Sequence, residues 1–253
     1  MTRVFLDDSR IRGDTGVISG PDAHHLVNVL RMSVGDSFTV VDARAVEYSA
    51  EIVELAPERV LVRLGSPRPG ATEPSLELAI YHGLPRLPRY ETALRMCTEL
   101  GVVRFVPVLT SRCVVRLQPG DGPGKAERWR RVVRAAARQS GRARVPDVVE
   151  PMGFDEALEQ LRRSGVPAAM PAAGLAGSAA LSLGDWVGAL CKACSPAALA
   201  VLIGPESGFD LEEERAAAEA GATLVTMGPR ILRTETAAVV AAAICLERAG
   251  QLS

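Results

Sequence analysis

Two short segments rich in glycine and proline, both in the last fifth of the chain, hold the residues best suited to ligand chemistry. The first is Gly204-Pro205-Glu206-Ser207-Gly208, and the second is Met227-Gly228-Pro229, which leads into Arg233-Thr234-Glu235. Glycine permits positive φ angles and lets the backbone approach a ligand closely. A guanidinium and two carboxylates beside such turns can bind polar groups and can hold or accept protons.

Each segment lies between an apolar run and a helix-like run, so each is interpreted as the carboxyl end of a β-strand. Ligands of open α/β sheets bind outside those ends. The GxGxxG fingerprint and the Walker lysine are absent, which disfavours the common dinucleotide and ATP folds. The alternative is two tight turns, with Thr234 capping a helix and Arg233 and Glu235 in a surface ion pair. Ile231 and Leu232 favour a pocket, because they are apolar residues in a loop.

The elements around these segments alternate between strands and helices. Strands are predicted at Leu76–Tyr81, Val102–Leu109, Val166–Met170, Ala197–Ile203 and Ala222–Met227, and helices at Tyr90–Leu100, Lys125–Gln139, Phe154–Arg163, from Leu211 onward and at Thr234–Ala249. Such alternation is typical of a parallel sheet. The Ala-, Gly- and Ser-rich stretch Ala168–Leu183 is interpreted as a loop.

The N-terminal part has a different pattern. Residues 1–68 contain short apolar runs bounded by turns, among them Phe38–Val41 and Val60–Leu64, which predicts a small β-barrel. One helix, Pro21–Arg31, interrupts them and is expected to place Leu26, Val29 and Leu30 on one face. Three prolines and a glycine within residues 66–74 predict a linker at 69–75, so the second domain covers 76–253.

Composition limits the location and the class of the protein. No run approaches the roughly 18 apolar residues that cross a bilayer. The start, Met1–Asp8, lacks the apolar segment of a signal peptide, so a cytoplasmic location without membrane contact is expected. Cys191 and Cys194 form a CxxC pair, but no second pair or nearby histidines accompany it. We therefore expect two reduced thiols on a helix and no metal site.

Charge is unevenly distributed, although the net charge is only −1. Residues 71–150 carry fourteen basic and eight acidic side chains, and thirteen of the basic ones are arginine. Arginine suits bidentate contacts with phosphate, so this basic middle segment is a candidate for nucleic-acid binding. For any single arginine, a solvated surface position is an equally good interpretation.

The two C-terminal segments closely resemble motifs of the ribosomal small-subunit RNA methyltransferase E family, the 16S rRNA uracil-N3 methyltransferases of the SPOUT (trefoil-knot) superfamily. The resemblance covers nearly the whole chain. Other matching segments are His24–Arg31 with Gly35-Asp36, Thr98–Val102, Val106-Pro107, Ser111-Arg112, Arg128-Trp129 and Gln139–Arg142. The resemblance implies a PUA-like RNA-binding β-barrel followed by a knotted α/β domain with a mostly parallel sheet. It also implies a homodimer that acts on 16S rRNA or on the small ribosomal subunit.

The resemblance further implies that the two segments bind S-adenosylmethionine, the methyl donor. The residues predicted to bind this cofactor are Leu202, Ile203, Gly204, Pro205, Glu206, Gly208, Met227, Gly228, Ile231, Leu232, Thr236 and Ala237. Methyl transfer to uracil N3 requires alignment of donor and acceptor, removal of the N3 proton, and positive charge near O2 and O4. Arg233 is the first candidate for this catalytic charge, with Glu235 orienting it. Glu206 is either a polar ligand of the cofactor or a base.

An acceptor base in structured RNA must leave its stack to be methylated, so the RNA around it must be held. The residues predicted to bind RNA are His25, Arg31, Arg86, Arg89, Arg112, Arg138 and Arg142. Two positions depart from the family: Ser207 replaces a usual glycine, and Met96 replaces a common lysine. Ser207 would be strained by roughly 1 kcal/mol if its φ were positive.

Two other functions stay open at this stage. One is a SPOUT methyltransferase with another RNA target. The other is a non-catalytic RNA-binding or ribosome-assembly protein derived from the enzyme and weakened by Ser207 and Met96. The retained cofactor motif argues against the second alternative.

Overall fold

The computed structural model describes residues 2–118, 120–172, 174 and 180–252, which form two compact units. Unit 1 runs to Glu73 and also includes Ala137–Arg144, and unit 2 comprises Pro74–Ala136 and continues from Val145. The domain bounds 1–68 and 76–253 were inferred from composition and stay a prediction. Nothing in the sequence indicated that residues 137–144 belong with the N-terminal part.

Unit 1 is built on a seven-stranded sheet. Its strands are β1 (Arg3–Phe5), β2 (Ile11–Arg12), β3 (Thr15–Ser19), β4 (Ser37–Val41), β5 (Val46–Ala56), β6 (Arg59–Leu64) and β7 (Arg68–Pro69), with a 3₁₀-helix at Asp8–Arg10. The pairing order is β1-β4-β5-β6-β3-β2, and β7 pairs with β5. Successive strand residues point to opposite faces, so Val60, Val62 and Leu64 enter the core while Arg59 and Arg63 stay exposed.

The helix of unit 1 differs from its predicted form. It begins as α1 (Pro21–His24) and continues as a π-helix at His25–Val29, and Arg31 beyond it has a φ of 52°. Leu26 is buried, but Val29 and Leu30 are 59% and 40% exposed. Of the three residues expected on one face, only Leu26 thus faces the core. The i→i+5 bonding of a π-helix widens the turn and changes which side chains face the core.

The carboxylate of Glu73 anchors residues 142–144 within unit 1. It accepts hydrogen bonds from Arg142 Nη2 at 2.5 Å and from the backbone amides of Ala143 and Arg144 at 2.8 and 3.0 Å. Arg142 is only 3% exposed. In this structure the guanidinium of Arg142 is buried in an ion pair with Glu73, so the predicted contact of Arg142 with RNA stays a prediction that this pairing does not support.

Unit 2 contains a parallel sheet with helices on both faces. Its strands are β8 (Glu77–Gly83), β9 (Arg104–Leu109), β10 (Asp147–Val148), β11 (Met152–Gly153), β12 (Ala168–Pro171), β13 (Ala198–Ile203) and β14 (Thr223–Val225). Its helices are α2 (Leu87–Leu100), α3 (Asp121–Gln139), α4 (Phe154–Ser164), α5 (Leu183–Cys194), α6 (Leu211–Glu219) and α7 (Thr234–Arg248). The strand order is β10-β9-β8-β13-β12-β14, with β11 beside β9, and these pairings are parallel.

Two apolar cores cover the two faces of this sheet. Helices α2, α5 and α7 pack on one face, together with Trp129 of α3, and α4 and α6 pack on the other. The predicted α/β class with a mostly parallel sheet is thus confirmed, whereas the trefoil knot stays a prediction. The stretch interpreted as a loop begins with β12, and its residues 173 and 175–179 lie outside the described part. No helix of the described part is long and apolar enough to cross a membrane.

The Glu73–Arg142 ion pair leads to a stability prediction. Replacing Glu73 with Gln should lower the free energy of unfolding by about 3 kcal/mol, because it leaves a buried guanidinium without its counter-charge. The control is Glu58→Gln, an exposed carboxylate between β5 and β6, with an expected change below about 0.5 kcal/mol. Urea unfolding followed by circular dichroism measures both. Equal stabilities of the two variants would contradict the structural role of Glu73.

Candidate active site

A pocket of about 330 Å³ opens at the carboxyl ends of the parallel strands of unit 2. Strands β13 and β14 flank β12 in the sheet, so the loops that follow them meet over the end of β12. We name these loops the Glu206 loop (204–208) and the Gly228 loop (226–233). The pocket is lined by Pro171, Ala172, residues 203–208, residues 226–228, residues 230–232, Thr234 and Ala237.

Ten of the twelve residues predicted to bind the cofactor line this pocket, and Leu202 and Thr236 do not. Leu202 is 1% exposed and packs into the core beneath α4 and α6. Neighbouring strand residues point to opposite faces, so only Ile203 is directed towards the pocket. On α7, Thr234 and Ala237 are three residues apart and share a face, which leaves Thr236 exposed on another.

Six lining residues were not among the predicted cofactor ligands. They are Pro171, Ala172, Ser207, Thr226, Arg230 and Thr234. Pro171 is the last residue of β12 and Ala172 follows it, so both lie just beyond the predicted strand Val166–Met170, in the stretch interpreted as a loop. The other four lie within the predicted loops or next to them, so a prediction of whole loops rather than of motif positions would have found them.

The Thr234 hydroxyl links three segments around the pocket. It donates to the carbonyl oxygen of Gly204 at 2.6 Å and lies 2.7 Å from Nε2 of His82. The sequence predicted that Thr234 caps α7, but the N-cap residue is Arg233, and no side chain caps the helix. Thr234 instead joins the first turn of α7 to the Glu206 loop and to the end of β8.

These contacts determine the protonation of His82. A carbonyl oxygen can only accept, so Thr234 gives its single proton to Gly204 and must accept one from Nε2 of His82. Burial lowers the pKa of His82 from 6.5 to about 3. The imidazole is therefore neutral and carries its proton on Nε2, which makes it a permanent donor beneath the pocket.

Two glycines allow the Glu206 loop to pack against the sheet. A Cβ on Gly83, the last residue of β8, would lie 2.5 Å from Cδ of Pro205 and 2.8 Å from its backbone nitrogen. A Cβ on Gly204 would lie 3.0 Å from Cα of Gly208. Backbone atoms cannot move aside as a flexible side chain can, so any larger residue at Gly83 would displace the loop.

Glu206 has one bound and one unpartnered carboxylate oxygen. Oε1 accepts a hydrogen bond from the backbone amide of Arg86 at 3.1 Å and lies 3.8 Å from Nη1 of Arg89. Oε2 is buried without a hydrogen-bond partner. An unsatisfied buried oxygen of a charged group is costly, so this atom marks where a polar ligand group would bind.

Arg112 holds the backbone that follows Ser207. Its Nη1 donates to the carbonyl oxygens of Ser207 and Phe209, both at 3.2 Å. Next to it, the Ser111 hydroxyl donates to Asp210 at 2.7 Å, and Asp210 forms the predicted capping box with Glu213. The amide of Glu213 and the Ser111 hydroxyl lower the pKa of Asp210. Arg112, predicted to bind RNA, thus positions the loop.

Ser207 fits its position without backbone strain. In the described part of the chain, only Arg31, Ala45 and Ser195 among non-glycine residues have positive φ. The left-handed residue of this loop is Gly208, with φ 68°. The departure of Ser207 from the family pattern therefore places an exposed hydroxyl at the pocket and does not distort the loop.

The two predicted catalytic residues lie at the start of α7, outside the pocket lining. The side chain of Arg233 is exposed, and Glu235 is half-buried with Oε2 unpartnered. No hydrogen bond or ion pair that involves both side chains occurs among the described residues. The positive end of a helix dipole stabilises anions, so a negative group would be favoured here, next to the mouth of the pocket.

The remaining residues predicted to bind RNA occupy different environments. His25 and Arg31 are exposed in unit 1, where Arg138 is ion-paired with Asp22. Arg86 and Arg89 lie beside the Glu206 loop in unit 2. Within the described ranges, no three histidine, cysteine or acidic side chains form a metal-binding group. Cys191 and Cys194 are free thiols at the end of α5, on a helix as expected.

Known proteins share this architecture over almost the whole chain. Residues 72–246 match the family model described as an RNA methyltransferase domain, and residues 18–65 match an RNA methyltransferase PUA domain. Ribosomal RNA small subunit methyltransferase E of Bacillus subtilis is 31% identical over 95% of this chain and 94% of its own. The protein of the same name in Mycobacterium bovis is 32% identical over 94% of this chain and 88% of its own.

A solved structure shows the same similarity. The crystal structure of a ribosomal RNA small subunit methyltransferase E from Neisseria gonorrhoeae, bound to S-adenosylmethionine, superimposes with a TM-score of 0.84 at 28% identity. The alignment covers 98% of this chain and 97% of that one. Both units are thus matched in a single known protein.

The buried neutral His82 predicts acid sensitivity. Its folded pKa of about 3 lies below the unfolded value of 6.5, so the unfolded chain binds the extra proton between these values. The contribution of His82 to the free energy of unfolding is fully present above about pH 6.5. Below that pH it falls by about 1.4 kcal/mol per pH unit. His82→Gln keeps a donor and should lack this component. Urea unfolding at pH 7, 6 and 5 should show the free energies of unfolding of the two proteins converging as the pH falls. The same pH dependence in both proteins would contradict the assignment of a neutral His82.

Proposed function

The chain belongs to the RNA methyltransferase family, and on this premise we propose that it transfers the methyl group of S-adenosylmethionine to N3 of a uridine in 16S rRNA. The methyltransferase domain supports the reaction type. The PUA domain and the relatives named for the small-subunit rRNA support the substrate. The observation that carries the proposal is the convergence of the Glu206 and Gly228 loops into one pocket at the strand ends.

The pocket suits S-adenosylmethionine on its own geometry. Its volume of about 330 Å³ lies in the range of small-molecule sites. Ile203, Met227 and Leu232 supply apolar surface, and the close-packed backbone of the Glu206 loop brings polar main-chain groups to the wall. Oε2 of Glu206 offers an acceptor for a hydroxyl or ammonium group of the cofactor. Glu206 is therefore assigned as a ligand rather than as the base.

The bound cofactor would supply a methyl group activated by its positively charged sulfur. The protein must then hold uracil in line with that methyl group and favour the N3 anion, because the neutral imide nitrogen is a poor nucleophile. The proposal assigns the second task to Arg233, and its exposure at the N-terminus of α7, where its charge and the helix dipole act together, supports this role. Once the substrate is bound, the unpartnered Oε2 of Glu235 would accept a hydrogen bond from the guanidinium of Arg233.

Three further parts of the proposal rest on the family. The enzyme acts as a homodimer, its substrate is the 16S rRNA within or outside the small subunit, and the reaction takes place in the cytoplasm, where ribosomes are assembled. Ile231 supports the proposal that a partner covers the mouth of the pocket. This apolar side chain lies at the rim and is 90% exposed in the single chain. RNA or a second copy of the chain would shield it from water.

Primer extension on 16S rRNA from a deletion strain tests the proposed function. A methyl group at N3 blocks the Watson–Crick edge, so reverse transcriptase should stop at one uridine in wild-type rRNA and read through in the deletion strain. The plasmid-borne wild-type gene should restore the stop, whereas Arg233→Ala should reduce methylation by about 100-fold or more. A read-through pattern identical in all strains would refute the 16S target, and normal turnover by Arg233→Ala would refute its catalytic role.

Isothermal titration calorimetry with S-adenosylmethionine tests the role of Glu206. Glu206→Gln keeps the size of the side chain but can replace the free acceptor oxygen by a donor, so the Kd should rise about 10- to 100-fold. The control Glu219→Gln, an exposed residue at the end of α6, should bind like wild type. An unchanged Kd combined with a much lower kcat would instead make Glu206 the base.

A further inference from the structure

A groove between α2 and α3 carries three arginines that the active site does not use. Arg95 of α2 and Arg128 and Arg131 of α3 line a cavity of about 350 Å³, together with Val132 and Ala135. All three arginines are exposed. Beneath the surface, the rings of Tyr90 and Trp129 pack edge to face with centroids 4.8 Å apart, which holds the two helices together. The groove is thus open on the outside and rigid at its base.

The positive charge of this groove is largely uncompensated. Arg128 Nε donates to the carboxylate of Glu91 at 2.6 Å, so this arginine is paired. Arg95 donates to the Thr92 hydroxyl at 3.3 Å, and neither Arg95 nor Arg131 forms an ion pair with any residue the structure describes. Like charges three residues apart, as in Arg128 and Arg131, disfavour the helix. Their clustering points to a ligand that brings negative charge.

The guanidinium groups of the groove, and its position on the helix that begins at the Glu206 loop, favour an RNA phosphate as the ligand. Guanidinium groups match phosphate oxygens bidentately, and apolar side chains between them tolerate a sugar. The start of α2 touches the Glu206 loop through Arg86 and Arg89. Arg95 is six residues beyond Arg89, about 9 Å along the helix axis. The groove therefore lies along the same helix whose start contacts the Glu206 loop, about two turns from it.

We propose that the groove formed by Arg95, Arg128 and Arg131 binds the phosphate backbone of the substrate RNA next to the methylated nucleotide. The proposal rests on the proposed function for the identity of the substrate. The groove acts electrostatically and independently of sequence, so it contributes to RNA affinity and not to the chemical step.

The test compares wild type with the double variant Arg95→Gln/Arg131→Gln, which removes the two arginines without a carboxylate partner. The matched control is Arg162→Gln/Arg163→Gln, which removes two exposed arginines from α4, on the opposite face of the sheet. Fluorescence anisotropy measures binding of a short, labelled single-stranded RNA as a function of salt. Methylation assays with deletion-strain 16S rRNA give KM for RNA, KM for S-adenosylmethionine and kcat.

The groove variant should show a weaker salt dependence. Each lost phosphate contact on a single strand lowers the slope of log affinity against log salt by about 0.7, so two contacts remove about 1.4. Between 50 and 200 mM salt, wild type should then lose about sevenfold more affinity than the variant. KM for RNA should rise, while kcat and KM for S-adenosylmethionine stay unchanged and the control behaves like wild type.

Two outcomes would overturn the groove proposal, and a third would overturn only the proposed function. A wild-type salt slope in the groove variant would exclude a phosphate contact. An unchanged slope together with an altered molar mass by light scattering would assign the groove to a protein interface instead. If wild type binds RNA with the expected salt slope but methylates no uridine, the proposed function fails while the groove still passes its own test.

Discussion

The hydroxyl group of Thr234 connects the segments that form the candidate active site. It is the point at which the end of β8, the Glu206 loop and the first turn of α7 meet, through His82 and Gly204. All three groups are buried or close to buried, so losing this oxygen would leave a donor and an acceptor unpaired. Burial lowers the pKa of His82 and keeps the ring neutral, and because Thr234 donates its proton to Gly204, Nε2 of His82 is the donor in the second bond. The shape of the pocket therefore depends on a proton whose position is fixed.

Two carboxylate oxygens in or near the pocket have no hydrogen-bond partner. Oε2 of Glu206 belongs to a lining residue, and Oε2 of Glu235 is buried at the start of α7, outside the lining. Native proteins satisfy nearly all buried polar groups, so exceptions need a reason. A ligand that supplies the missing donors would recover this energy on binding. Such atoms are a better guide to a binding site than the pocket volume, because volume alone does not indicate which chemical groups are expected.

The sequence predicted most of the elements and most of the pocket, because both depend on local patterns. Apolar runs that end in Gly-Pro turns identified β13 and the Glu206 loop, and the family motif supplied the residues of the Gly228 loop. The differences between predicted ligands and lining residues have geometric causes. Leu202 and Thr236 belong to segments that line the pocket, but Leu202 packs into the core and Thr236 is exposed on another face of α7, so their binding to the cofactor stays a prediction. The bond between Thr234 and His82 joins residues 152 positions apart, and no local pattern encodes such a distance.

Arginine content illustrates the same limit for RNA binding. The basic middle segment contains thirteen arginines, but the structure uses several of them for its own architecture. Arg142 neutralises Glu73 inside unit 1, Arg138 pairs with Asp22, and Arg112 holds the carbonyls behind Ser207. A guanidinium that is already satisfied has little to offer a phosphate, whereas Arg95 and Arg131 have no carboxylate partner among the described residues. Net charge along a sequence therefore overestimates the number of arginines available to a phosphate, and the proposed RNA groove draws on arginines left over after internal pairing.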